Sequence, residues 1–305
     1  MSDPALPVVF ILIPVHNRQE TTLACLQTLQ VTEDLERYQV VVIDDGSTDS
    51  TGAAIAQQYP QVTVLQGDGN LWWTGAIVLG MRFAYQRNAE FIIWLNDDCQ
   101  FTKETLPNLV TFCHSNPHAI IGCEVKEKRL NTHVAYGGKR KTWKGYRLMQ
   151  TPAGEVTSCD SLCGNIVCLP RVVVDTIGYP NAKAMPHYGG DTLYTMQAKK
   201  AGFSVFVDNR TPVFNAAEQE PRLYPRNWLL TPGSPLKLLQ LTFVPQSGLS
   251  WRVWLRLNWE GYLLWGLIMI VKKYISILLL TFLRFLPYKF RVQLSTFMGA
   301  KGIPY

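Results

Sequence analysis

The sequence predicts an α/β fold, a mostly parallel central sheet flanked by helices, with a compositionally distinct helical region behind it. Three observations predict it. Short, almost uniformly apolar runs alternate with amphipathic stretches through the first half of the chain. Polar clusters stand at the ends of three of those runs, where a parallel sheet gathers its ligand loops. Beyond about Pro221 the chain turns basic and Trp-rich.

The apolar runs Val8 to Ile13, Val40 to Ile43, Val62 to Leu65, Phe91 to Leu95 and Ala119 to Gly122 are short and rich in β-branched or aromatic residues, so they read as buried strands. Thr21 to Leu29, Thr51 to Tyr59, Gly75 to Arg87 and Thr105 to His114 read as the helices between them. Glu124 to Glu155 breaks the pattern with Gly, Lys, Arg and aromatic residues and reads as hairpins or mobile loops. Periodicity returns with a strand at Ile166 to Leu169, a short helix at Pro170 to Ile177, a helix at Thr192 to Ala201 ended by Gly202, and a strand at Ser204 to Asp208.

Composition separates two jobs. Of 305 residues, 47% are hydrophobic and 17% charged, enough to bury one large core and leave apolar surface over. Residues 1–221 carry 18 basic against 22 acidic side chains, whereas residues 222–305 carry 11 basic against one, Glu260. In that tail Trp251, Trp254, Leu255, Tyr262 and Trp265 follow helical spacing with Arg252 and Arg256 on another face, the pattern of a helix lying in a membrane interface. Two apolar runs follow, Gly261 to Val271 and Tyr274 to Leu283, divided by Lys272 and Lys273. A bilayer core takes about 20 apolar residues, so neither run spans alone; the tail is expected to attach in a monotopic or re-entrant way, the competing reading being a helical hairpin buried on the body. Anionic lipid accounts for basic charge and apolar runs together, which disfavours nucleic acid as the partner. The division is therefore 1–221 for the body and 222–305 for a membrane-associating tail.

Seven scattered cysteines without a CxxC pair indicate a reducing compartment, and the spacing of Cys159, Cys163 and Cys168 matches no zinc pattern. Met1 to Pro7 lacks a basic n-region and the apolar run from Val8 stops at Pro14, short of a signal peptide. The body is expected in the cytoplasm, at the inner face of the plasma membrane.

Four clusters carry chemistry. Pro14-Val15-His16-Asn17-Arg18 closes the first strand, its proline ending the ladder and its side chains placed to meet a nucleotide. Asp44-Asp45-Gly46-Ser47-Thr48-Asp49 closes the second; helix capping explains Asp49 well and Asp45 poorly. Trp94-Leu95-Asn96-Asp97-Asp98 closes the fourth. Strand alternation puts Asn96 and Asp98 on one side and Asp97 on the other, so Asn96 and Asp98 can hold a hard divalent ion with positions left for diphosphate oxygens. Gly69-Asn70-Leu71-Trp72-Trp73-Thr74-Gly75 leads into a helix beginning near Thr74, whose amides would suit a phosphate, with one of the two tryptophans in the core and one at the site.

With those motifs in view, the chain resembles a family-2 glycosyltransferase with the GT-A (nucleotide-diphospho-sugar transferase) fold over about residues 8 to 215, and the Gly69 to Gly75 and Leu95 to Asp98 segments together resemble the rhamnosyltransferase-like branch. The resemblance implies that Pro14, Val15, Asn17, Arg18, Asp44, Asp45, Gly69, Asn70 and Trp73 serve the nucleotide sugar, that Asp97 lies near the ribose, and that Asp98 binds Mg²⁺ or Mn²⁺. It further implies a glycine-rich acceptor or donor-sugar segment, matched by Gly164 and Asn165, and a catalytic base, matched by Asp191. As a residue before a helix, Asp191 also suits a cap on the stretch running to Ala201. Relatives commonly place acids where this chain has Gly190 and Leu193, and a late His on the metal where it has Val213-Phe214-Asn215; Asn215 is the weak substitute, and His187 reads as a loop or acceptor residue.

The expected activity is inverting transfer from a UDP- or dTDP-sugar to a hydroxyl of a lipid-linked saccharide or cell-surface polysaccharide precursor. Asp45, Asp98 and Asp191 are expected to converge on one divalent ion and its diphosphate ligand. A sugar-phosphate nucleotidyltransferase is the competing enzyme, disfavoured because Pro14 to Arg18 is not a basic Gly-rich loop. A membrane-bound scaffold without turnover is the third reading, disfavoured by the intact acids.

Overall fold

A computed structural model describes residues 7–127, 133–216 and 225–300, with side chains of 225–227 and 298–300 excepted. The signal-peptide reading of Met1 to Pro7, all but Pro7, and the boundary placed at Pro221 lie outside the described residues. The chain divides into two compact units, Met1–Ala217 and Glu218–Tyr305.

In the first unit the elements run β1 (Val9–Val15), α1 (Gln19–Val31), α2 (Asp34–Arg37), β2 (Gln39–Asp44), α3 (Thr51–Gln58), β3 (Thr63–Gln66), α4 (Trp72–Gln86), β4 (Phe91–Leu95), β5 (Cys99–Gln100), α5 (Thr105–Ser115) and β6 (Ala119–Glu127). They continue with β7 (Val134–Tyr136), β8 (Gly138–Thr142), β9 (Gly145–Leu148), β10 (Val156–Ser158), β11 (Ser161–Leu162), β12 (Ile166–Pro170), α6 (Arg171–Ile177), α7 (Gly190–Lys200) and β13 (Ser204–Asn215). The main sheet has the order β10-β13-β6-β12-β4-β1-β2-β3. Strands β3, β2, β1 and β4 are mutually parallel. β12 is inserted antiparallel between β4 and β6.

The predicted strands and helices all form, with ends shifted by a few residues. Alternation sorts the core: Ile11, Ile13, Val42 and Leu95 face the α1 and α5 side, whereas Phe10, Leu12, Val41 and Trp94 face the α4 and α7 side. The expectation that Pro14 ends the ladder needs correction. Pairing of β1 with β4 stops at Leu12, but pairing with β2 runs on through Pro14↔Ile43 to Val15↔Asp44. A proline is tolerated there because the neighbour on its β4 side has already gone. The Glu124 to Glu155 region does contain a hairpin, β8–β9, which with β11 makes a three-stranded sheet. All seven cysteines are buried and free.

The second unit holds α8 (Pro225–Leu230), α9 (Lys237–Leu241), α10 (Trp251–Tyr262), α11 (Leu264–Leu283) and α12 (Tyr288–Ala300). Its small core joins Trp228, Leu229, Leu238, Leu249, Ile277 and Leu280. The two apolar runs are not separate segments: the chain breaks at Leu263, φ +51, and everything from Leu264 to Leu283 is one 20-residue helix with Lys272 and Lys273 at its middle. Helical side-chain stacking is indifferent to a lysine pair whose ammonium groups can swing aside, and Lys273 does so, its Nζ lying 3.4 Å from the Trp254 ring centroid. That helix is long and apolar enough to cross a membrane by length and composition, with mean hydropathy 1.9. Trp265 therefore belongs to α11, and Trp251, Leu255 and Trp259 form the exposed stripe on α10.

Candidate active site

The site is built where β1, β2, β3 and β4 end and where α4 and α7 begin. Each parallel strand releases its chain at the same edge, so residues distant in sequence meet there. At the end of β1, Val15 is turned into the core and offers only its carbonyl, which accepts the Asp45 amide at 2.9 Å. Pro14 is half-buried beside it. Asn17, at φ +50, ties the first loop to the second: its amide donates to Ser47 Oγ at 2.8 Å and its Oδ1 accepts the Thr48 amide at 2.7 Å.

Asp44 is buried and its Oδ1 accepts the Ser47 amide at 3.0 Å. Asp49 does cap, accepting the Thr51 amide at 3.1 Å and the Gln19 amide at 3.1 Å. Asp45 is the surprise, because capping explains it as well. Its carboxylate accepts the amides of Gly69 (2.8 Å), Leu71 (3.2 Å) and Trp72 (2.8 Å), the free donors at the start of α4. The phosphate site expected near Thr74 is corrected accordingly. The helix starts two residues earlier, a carboxylate already fills its anion position, and the Thr74 amide donates to Pro186 O at 3.0 Å. Gly69, at φ +84, lets the loop fold onto Asp45, while Asn70 is exposed and bonded only within its own turn to Asp68.

At the end of β4 the strand alternation fails, since β4 stops at Leu95 and the chain turns through Asn96 to Asp98. Asn96 faces α4 and accepts the Trp73 Nε1–H at 2.9 Å. Asp97 and Asp98 instead share one cation. Arg18 donates Nε–H to Asp97 Oδ2 at 3.0 Å, its Nη2 lies 3.0 Å from Asp97 Oδ1, and the same Nη2 lies 3.5 Å from Asp98 Oδ2. Thr22 adds a hydroxyl donor to Asp97 at 3.1 Å. Burial raises the pKa of both carboxyls, opposed by the Arg18 charge. The Asn96 side-chain oxygen, expected beside Asp98 on an ion, is thus hydrogen-bonded to Trp73.

Asp98 still fits a hard cation in a reduced form. Its Oδ1 is buried with no hydrogen-bond partner, so one carboxylate oxygen has its lone pairs unspent. Strand β13 ends beside it, with Asn215 opposite Cys99 and the Ala216 amide donating to Asp98 O at 2.7 Å. Among the described residues no group of three His, Cys, Asp or Glu side chains could hold a metal. Asp45, Asp98 and Asp191 are thus not three direct ligands of one ion, and Asp45 is engaged by the loop and first turn of α4. One carboxylate suits a magnesium-like ion held mainly by substrate phosphates and water.

Asp191 lies in the first turn of α7, which starts at Gly190 behind Gly189 at φ +79; the residue is inside the helix and is not its N-cap. Its Oδ2 accepts the Gly164 amide at 2.6 Å and its Oδ1 the Thr192 amide at 2.6 Å. Gly164 is a contact point: a Cβ there would come within 2.6 Å of Trp73 Cζ2 and 2.9 Å of Asp191 Cβ. Asn165 is buried and its carbonyl accepts the Asn96 amide at 2.8 Å. A continuous chain of contacts thus leads from Asp45 through α4 and Trp73 to Asn96 on one side and through Gly164 to Asp191 on the other. Trp73 is half-buried and edge-on to the buried Trp94 at 5.6 Å, and Trp72 is the exposed one.

Sequence reasoning missed Lys139, whose Nζ donates to Thr192 Oγ1 at 2.6 Å, next to the base candidate. Burial lowers its pKa, and Cys163 and Asp191 raise it by more, for a net rise. Nothing in the Lys139-Arg140-Lys141 run distinguishes it. Arg18, expected at the nucleotide, pairs with Asp97 across 79 residues of sequence separation.

The family model described as glycosyl transferase family 2 matches residues 10–166, just over half the chain. The chain belongs to that family. Among curated relatives this family-2 chain is 26% identical over 205 residues to "Glycosyltransferase AglE" of Haloferax volcanii, covering 66% of this chain and 64% of that protein. It is 29% identical over 116 residues to "Undecaprenyl-phosphate 4-deoxy-4-formamido-L-arabinose transferase" of Photorhabdus laumondii, covering 36% of this chain and 35% of that one. It thus spans less than two thirds of the length of either. Solved structures show the fold alone. GalNAc-T7 with UDP, GalNAc and Mn²⁺ superposes with TM-score 0.57 at 14% identity, over 74% of this chain and 47% of that one. S. aureus TarS 1–349 with UDP superposes with TM-score 0.51 at 16% identity, over 83% and 71%. The GT-A-like fold expected of the family-2 resemblance is the fold observed.

Proposed function

We propose that this family-2 chain transfers a sugar, with inversion, from a nucleoside-diphosphate sugar such as a UDP- or dTDP-sugar to a hydroxyl of a saccharide acceptor. The observation that carries the reading is the joining of Asp191, through Gly164 and Trp73, to the Asn96-Asp97-Asp98 turn. That joins a fixed carboxylate to the strand end where the donor's charged portion belongs. Fold neighbours solved with UDP, and with UDP, GalNAc and Mn²⁺, support the donor class.

In this reading Asp191 accepts the proton of the attacking hydroxyl as the new bond forms. Two backbone amides hold its oxygens, so no rotation is needed at the moment of reaction. The Arg18 charge opposes the burial that raises the pKa of the Asp97 and Asp98 carboxyls. Asp98, through its unspent Oδ1, would hold Mg²⁺ or Mn²⁺. Such an ion supplies neutralising charge to a departing diphosphate. Trp73 excludes water from the space beside Gly164. A bond formed on the face opposite the leaving diphosphate gives inversion.

The second unit supports work at a membrane surface. On α11 the exposed residues Leu264, Ile268, Val271, Ile275, Leu278 and Phe282 recur at helical spacing, turned away from the unit's own core, and Arg252, Arg256, Lys272 and Lys289 are exposed in the same unit. Two lysines at the centre of a spanning helix would cost roughly 2.5 kcal/mol or more each, so in-plane attachment is favoured. A lipid-linked saccharide or cell-surface polysaccharide precursor as acceptor fits that location. The relative named as an undecaprenyl-phosphate sugar transferase supports a lipid carrier.

The test is nucleoside diphosphate release from a panel of UDP- and dTDP-sugars with Mg²⁺ or Mn²⁺. Wild-type protein should turn over at least one donor in the presence of acceptor extract. Asp191→Asn, isosteric and unable to take the proton, should lower that rate by about 10²–10⁴-fold. A folded Asp191→Asn protein with near wild-type turnover removes Asp191 from the reaction.

A further inference from the structure

The loop that opens α4 holds an arrangement that neither the base nor the Asp97–Asp98 turn requires. Trp72 sits at φ +55, a left-handed conformation that is strained for a residue with a Cβ. Its indole is 42% exposed, so burial does not repay the strain. What holds it is Asp45, whose Oδ2 accepts the Trp72 amide at 2.8 Å. The displayed ring meets His187 edge-on at 5.6 Å, and His187 in turn meets Tyr188 at 4.9 Å and 81°. Tyr188 is 54% exposed. His187 Nδ1 is buried without a hydrogen-bond partner. Burial lowers the His187 pKa, and the Asp191 charge opposes it. Gly190, at the start of α7, packs so closely on Thr74 that a Cβ there would overlap its Oγ1, so the first turns of α4 and α7 hold Trp72 and Asp191 in one neighbourhood.

We infer that Trp72, His187 and Tyr188 form the ring-stacking wall of the acceptor subsite, taking a pyranose of the saccharide whose hydroxyl Asp191 deprotonates. A pyranose presents a face of C–H groups and a rim of hydroxyls. The face matches an exposed, rigid aromatic ring, and the rim needs polar partners. Trp72 supplies the ring, Tyr188 extends it, and His187 Nδ1 is a polar atom with no other commitment. His187 and Tyr188 stand four and three residues before Asp191 in the chain, at the base's end of the site, which assigns this wall to the acceptor.

The inference rests on the transferase reading, and one experiment separates the two. Saturation-transfer NMR is recorded on the full chain with methyl β-D-glucopyranoside and methyl α-L-rhamnopyranoside, using glycerol as a non-ring control, for wild type, Trp72→Ala and Trp72→Phe. Circular dichroism confirms that each variant is folded. Wild type should saturate the ring C–H protons of at least one pyranoside and not glycerol. Trp72→Ala should lose that signal at least fivefold, and Trp72→Phe should keep most of it. Equal signals from wild type and a folded Trp72→Ala protein overturn the subsite, as does a wild type that saturates neither pyranoside. Failure of the transferase reading shows separately, as a wild type that consumes no nucleotide sugar.

Discussion

Gly164 shows how little room the site leaves. Its missing side chain is the space in which Trp73 and Asp191 approach each other, and a methyl group there would sit 2.6 Å from one and 2.9 Å from the other. Gly164→Ala should therefore push the carboxylate and the indole apart by roughly 1 Å, a displacement worth about 10²-fold in rate when it falls on a reacting group. Nucleoside diphosphate release, measured beside the affinity for UDP, should show a fall in kcat of that order with nucleotide affinity changed much less. An unchanged kcat would mean that the gap at Gly164 does not set the position of Asp191. Sequence pointed to Gly164 and Asp191 through their motifs. It had no means of showing that the two touch, since 27 residues separate them and the contact depends on how β12 and α7 are set down.

The start of α4 is decided at the level of the element. A helix leaves its first amides without internal partners, and here Asp45, from the end of β2, takes three amides of the loop and first turn. Capping by a neighbouring strand end is invisible to a rule that looks for the capping residue just before the helix. For that reason the sequence placed the helix start near Thr74 and left Asp45 without a structural role. Asp45→Ala should lower the stability of the protein to urea by about 1–2 kcal/mol and accelerate amide exchange at Leu71 and Trp72. If stability is unchanged, Asp45 is not the bracket of that loop. The Asn96 to Asp98 turn teaches the same lesson from the other side. Alternation holds only while the ladder does, so extending it past Leu95 put Asp97 and Asp98 on opposite sides, whereas one arginine reaches both.

For the molecule as a whole, charge and apolar surface are segregated along the chain, with 11 of the 29 basic residues and a single acid in residues 222–305. The exposed stripe of α11 and the exposed basic residues of the same unit predict binding to anionic vesicles that weakens only in part with salt, because charge is screened and apolar insertion is not. Flotation of the full chain with phosphatidylcholine vesicles containing about 30% phosphatidylserine, against pure phosphatidylcholine, should give stronger recovery with the anionic lipid and residual binding at about 0.5 M NaCl. Recovery equal to a lipid-free control on both vesicle types would remove the membrane from the account.

The sequence by itself determined the order and kind of the main strands and helices of the first unit, though not of short elements such as α2, β5 and β11, because buried parallel strands and amphipathic helices write their periods directly into composition. It also determined which strand ends bear polar clusters and that the C-terminal region differs in charge from the body. Only the tertiary structure decided that β12 enters antiparallel between β4 and β6, that the two apolar runs are one helix, and that Arg18 balances Asp97 and Asp98. Local pattern reports what each segment buries, whereas hydrogen bonds and ion pairs between segments depend on distances that exist only once the chain has closed on itself.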